Sequence, residues 1–177
     1  MKGIYLAAYR ASHPGYDIDY QDINGLRDIG GDMLEIDLSP YDFIIATPPC
    51  NFWSRANYRR YVSEYALKTM HLLPLILKKL CAQKKPFIVE NVRNDRMFKE
   101  FKLYEKECYI YKIGRHTYWT NIEFDTNIEQ RQDFYYGGYF IKEDVQNKDK
   151  NNRQGGENVH RVIERFLEEI HNGIKGN

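Results

Sequence analysis

The chain reads as one α/β domain: a mainly parallel sheet with flanking helices, finished by an antiparallel hairpin. Three observations carry this expectation. Two apolar runs, DFIIAT (Asp42 to Thr47) and PFIV (Pro86 to Val89), lack polar alternation, as strands buried on both faces do. A helical pattern lies between them, and the order strand, helix, strand, hairpin, helix points to a parallel α/β sheet. The length, 177 residues, suits a single domain over 1–177 that buries a real core, and no internal repeat is evident.

In chain order, GIYLAAY (Gly3 to Tyr9) is a first strand and RASHPGYD a connection, broken by its proline and glycine. IDYQDI (Ile18 to Ile23) is a second strand. Gly30 and Gly31 mark a turn, and Ser39 with Pro40 leads into the strand that ends at Thr47. From Ser54 to Lys85, apolar side chains at Tyr61, Tyr65, Leu67, Leu72, Leu75, Ile76, Leu77 and Leu80 predict one long helix, or two meeting near Pro74. RNDRMFKEF is a short helix or loop. ECYIYKI (Glu107 to Ile113) and HTYWTNIEF (His116 to Phe124) then form a hairpin with Gly114 at its turn. Residues 125–156 mix an aromatic patch, FYYGGYF, with a long polar run, and read as a surface insertion. The closing ENVHRVIERFLEEI aligns Val159, Val162, Ile163, Phe166 and Ile170 on one helix face.

Lys plus Arg (26) and Asp plus Glu (25) nearly cancel, so no field of the whole molecule draws it to a polyanion, and any nucleic-acid site must be a local patch. Lys78, Lys79, Lys84 and Lys85 read as a solvated helix end. The three cysteines, Cys50, Cys81 and Cys108, are odd in number, lack zinc spacing and follow no signal peptide, which predicts free thiols in the cytoplasm. The longest apolar run, LLPLIL, is too short to span a bilayer, so no membrane is expected. His71, His116 and His160 have no ligand spacing, and no metal is expected.

The chemistry concentrates where the two buried strands end. PPC (Pro48 to Cys50) follows the first and ENV (Glu90 to Val92) the second, so a thiol and a carboxyl share the sheet edge where open α/β folds place their ligands. These residues, in ATPPCNFWSRAN and ENV, together with GRHTYWTN (Gly114 to Asn121) and GDMLEIDLSPYDFIIATPPC, resemble the cytosine-C5 DNA methyltransferases, including the short versions common in phages and prophages. The resemblance covers roughly Asp22 to Asn121. It implies a Rossmann-like methyltransferase sheet, S-adenosylmethionine as methyl donor, and DNA with a flipped cytosine as target, in a bacterial or phage-infected cytoplasm.

The resemblance also implies roles. Cys50 is the nucleophile that adds to cytosine C6, Glu90 holds or protonates ring N3, and Arg115 stabilises the thiolate or the base's O2. Asp22 and Asp32 stand where the family's ribose and adenine acids stand, with Pro48 and Asn158 completing the cofactor set. Ser54, Arg55 and Asn91 face the substrate, and Phe52, Trp53, Tyr58, Arg59 and Arg60 are aromatic and basic neighbours for bases and phosphates.

The chain departs from the family in its first loop, where a glycine-rich FxGxG motif is replaced by YLAAYRASHPGYD, too short for a full first helix. The separate target-recognition domain is missing or reduced to residues 121–156. Three functions stay open at this level: a minimal methyltransferase, a non-catalytic methyltransferase fold that binds nucleic acid or protein, and another one-carbon transfer to a pyrimidine, with RNA in place of DNA also open. A homodimer or partner subunit would restore the missing surface.

Overall fold

A computed structural model describes residues 1–8, 12–22, 25–94, 108–125 and 159–173. Most of RNDRMFKEF, the expected insertion apart from Asp125, and Glu157 and Asn158 lie outside the described residues. The strands are β1 (Lys2–Leu6), β2 (Asp17–Tyr20), β3 (Phe43–Ala46), β4 (Phe87–Val92), β5 (Tyr109–Ile113) and β6 (His116–Thr120). The helices are α1 (Glu64–Thr69), α2 (Leu72–Cys81) and α3, residues 159–173.

The six strands form one sheet in the order β2-β1-β3-β4-β6-β5. The pairings of β1 with β2, β1 with β3 and β3 with β4 are parallel, while β6 runs antiparallel to both β4 and β5. The sheet is therefore mixed. The expected hairpin forms, and its second strand, not its first, docks on β4. Gly114, at φ 58, opens the two-residue loop between the paired Ile113 and His116, the position that a type II′ turn reserves for glycine.

Alternation along the strands sends side chains to two faces, each with its own core. On one face Ile4, Leu6, Ile44, Phe87, Val89 and Trp119 pack with Leu73, Ile76, Leu77 and Leu80 of α2. On the other, Tyr5, Phe43, Ile45, Ile88 and Tyr118 pack with Val162, Ile163, Phe166, Leu167 and Ile170 of α3. A helix, the sheet and a second helix thus make three layers. Burying each such side chain stabilises the fold by roughly 1.5–3 kcal/mol before chain entropy is counted. Gly3 lies beside Phe43 in the β1–β3 register, and a Cβ on Gly3 would overlap the Cε2 and Cζ atoms of that fully buried ring.

The stretch from Ser54 to Lys85 is two helices, but they part at Met70 and His71, and residues 51–62 form turns. Pro74 sits in the first turn of α2, where a backbone N–H has no helical acceptor, so the ring breaks nothing. Ser63 caps α1 by accepting from Ala66 N. Two of the expected solvated lysines are structural instead. Lys79 Nζ donates to Leu34 O and Ile36 O, and Lys85 Nζ to Leu38 O, Ser39 O and Tyr41 O, pinning the segment that leads into β3. No helix among the described residues is long and apolar enough to cross a membrane.

Candidate active site

The chain leaves β1 to one side, toward β2, and later returns on its other side as β3. That makes the carboxyl ends of β1 and β3 the switch point at which open α/β sheets leave a crevice. Ala7, at φ 56, is the one non-glycine residue with positive φ among the described residues, and it turns the chain at this crevice. The left-handed conformation costs an L-residue roughly 1–2 kcal/mol, so the bend that glycine would make is made here at some strain. Its surroundings hold it firmly: Ala7 N donates to Gln21 Oε1, Ala8 N to Gln21 O and Thr47 Oγ1 to Ala7 O. Gln21 is fully buried and also donates from Nε2 to Gly31 O.

The PPC loop leaves β3 beside this crevice. Asn91, 1% exposed, donates from Nδ2 to Pro48 O at 2.9 Å and so fixes the loop against β4. Ser54 N donates to Cys50 O at 2.8 Å, closing a tight turn after the cysteine. Cys50 is a half-buried free thiol whose pKa is raised, first by burial and then by the Glu90 carboxylate. ENV does not follow β4 but forms its last three residues, since Glu90, Asn91 and Val92 pair with Tyr118, Thr117 and His116 of β6. Glu90 Oε1 lies 2.5 Å from His116 Nδ1, in a pair whose side chains are only 13% and 17% exposed. Thiol, carboxyl and imidazole thus share the edge.

Because negative charge at Glu90 disfavours the thiolate, a Glu90→Gln protein is expected to ionise Cys50 at lower pH. Iodoacetamide alkylation of Cys50, followed across pH by peptide mass, should show its midpoint move down. An unmoved or raised midpoint would remove the electrostatic link between the two residues.

The hairpin carries Arg115 to the same edge. Its side chain is exposed, and its carbonyl accepts from Arg93 N at 2.6 Å. Asp22 follows β2, is 4% exposed, and accepts from Leu26 N through Oδ2. Asp32 is exposed and accepts from Leu34 N through Oδ1. Asn158, expected at the cofactor, lies outside the described residues. Three of the substrate-side residues are tied into the scaffold. Asn91 donates to Pro48 O, Ser54 Oγ accepts from Ala56 N, and Trp53 is 7% exposed. Arg55, Tyr58 and Arg59 are exposed, and Arg60 lies 5.9 Å from the ring centroid of exposed Tyr61. A local basic and aromatic patch therefore flanks Cys50 although the net charge is only +1.

Two residues escaped the sequence reading. Burial, then the charges of Asp22 and Cys50, raise the pKa of Tyr65 of α1, so its phenol feels both the acid after β2 and the thiol after β3. His116 was set aside as a histidine without ligand spacing, yet strand alternation in HTYWT puts it on the face of Tyr118, beside Glu90. Chemically, the edge offers a nucleophile, a carboxyl able to hold or donate a proton, an imidazole that orients it, and cations for phosphate. Set against models of protein families the chain matches none, and it matches no curated protein.

Proposed function

We propose that this protein transfers a methyl group from S-adenosylmethionine to cytosine C5 in DNA through a covalent adduct at Cys50. The observation that carries the reading is the approach of Cys50 and Glu90 at one edge of the sheet, beside its switch point. The finer description of the fold, a Rossmann-like methyltransferase sheet, is supported by the three parallel pairings on that side.

The residues present suit the nucleoside half of the cofactor. Asp22 and Asp32 offer carboxylate acceptors for ribose hydroxyls and an adenine amine, and Ala7 adopts the left-handed bend with no more than a methyl added. When bound, the cofactor supplies an electrophilic methyl group. The chain's own residues do the rest. Cys50 loses its thiol proton and forms a bond from Sγ to C6, which moves electron density to C5. Glu90 holds or protonates N3 as that charge develops, and His116 fixes the carboxyl in position. Arg115, the cation of the hairpin turn, is assigned to stabilise the thiolate or the base's O2. Once C5 carries the methyl group, water takes the C5 hydrogen as a proton, its electron pair re-forms the C5–C6 double bond, and the Sγ–C6 bond breaks to release the Cys50 thiolate, which solvent reprotonates. The target atom is hidden in a duplex, so the base must be flipped, with Arg55, Tyr58, Arg59 and Arg60 as neighbours for phosphates and bases.

One observation favours a second reading, a non-catalytic nucleic-acid or protein binding module. The amides of Ala7 and Ala8 are consumed by Gln21, so the methionine half of the cofactor finds no free amide there. Calorimetric titration of S-adenosylmethionine and of its demethylated product, with and without duplex DNA, separates the two. Micromolar binding is expected. No heat under either condition would overturn the enzymatic reading and leave the binding module.

A further inference from the structure

On the face of the sheet covered by α3, three groups of metal-ligand type converge without a role in the proposed reaction. His160 and Glu164 stand one turn apart on α3, so both side chains leave the same face, with Nε2 2.9 Å from Oε1. His13, in the β1–β2 connection, stacks on His160 with centroids 4.4 Å apart and planes 12° from parallel. One donor atom from each of the three lies within 4.8 Å of the others.

His13 is the second, independent observation. It is 2% exposed, and its Nδ1 has no hydrogen-bond partner. Imidazole nitrogens at that depth are normally bonded, because water cannot make good the loss. His160 and Glu164 are 41% and 44% exposed, so an ion can enter from the helix side.

We propose that His13, His160 and Glu164 bind a late first-row divalent cation of the zinc class, with water as fourth ligand, tying α3 to the β1–β2 connection. Two imidazoles and one carboxylate suit zinc, cobalt or nickel; calcium and magnesium take oxygen donors. Donor atoms in a tetrahedral site sit ~3.3 Å apart for bonds of 2.0–2.1 Å. The two half-exposed side chains on α3 reach that spacing by rotating, His160 out of its stack and Glu164 off the His160 nitrogen. No spacing in the sequence reveals the site, because nearly the whole chain separates His13 from its partners.

The full chain, stripped with a chelator, is titrated with zinc by calorimetry and with cobalt by visible absorption. Expected are one equivalent bound, four-coordinate cobalt bands, and no thiolate-to-cobalt charge transfer, since cysteine is not a ligand. Glu164→Gln and His160→Gln should each weaken binding by more than about 100-fold, beyond the loss of a supporting hydrogen bond. His13→Gln should do the same, and the two half-exposed positions carry the test if that buried change unfolds the chain. The proposal is overturned by absence of a one-equivalent site, by wild-type affinity in both α3 variants, or by charge-transfer bands that move the ion to the cysteines.

Discussion

A Cys50→Ala protein is expected to transfer no methyl group and to form no trapped adduct on 5-fluorocytosine DNA, while S-adenosylmethionine affinity and thermal stability stay close to those of the parent. Every step in the proposed reaction depends on the sulfur, since C5 becomes nucleophilic only after C6 has been attacked. Alanine keeps the backbone that matters, because Cys50 O still accepts from Ser54 N and Asn91 still holds Pro48 O. Cys50→Ser should be equally silent, as a hydroxyl beside Glu90 ionises even less readily than the thiol. Radiolabelled transfer and a gel-shift assay for the adduct read the result. Full transfer by Cys50→Ala would end the covalent mechanism.

The second large effect is structural and lies beneath the site. Phe43→Ala is expected to destabilise the fold by about 3–5 kcal/mol, because the ring is fully buried between β1 and α3. Gly3→Ala should cost about 1–3 kcal/mol by forcing that ring aside. The informative measurement is the double variant. A methyl on Gly3 fills part of the space that Phe43→Ala leaves, so the combined loss in urea melts should be smaller than the sum. Strict additivity would mean that the ring and the glycine do not share space.

Much of the sheet was legible because its signals are local. DFIIAT and PFIV are apolar runs whose burial needs no partner to be guessed, and Gly114 marks its own hairpin. The helix pattern from Ser54 to Lys85 was overread at its start. There Ser54 Oγ and Asn57 Oδ1 accept from Ala56 N and Arg59 N, offering the backbone a turn in place of a helix. The two helices meet just ahead of Pro74, which the first turn of α2 accepts because a proline's effect depends on its position in the helix. Cys50 and Glu90 stood out through their motifs, whereas His116 could not, since its partner lies 26 residues away across a register that only the paired strands define. Asn91 and Ser54 carried motif positions but spend their polar atoms on the loop itself.

The placing of β6 between β4 and β5 has a consequence for the order of assembly. During synthesis β5 emerges first but has no edge of its own to join, since β4 is reserved for the later strand. The hairpin must close on itself or wait, then dock on β4 as a pair. Until it docks, the β4 edge stays open and Glu90 has no imidazole beside it. The nascent chain thus presents Cys50 and Glu90 before His116 arrives, and the strand that joins the β4 edge is the one that gives the carboxyl its imidazole.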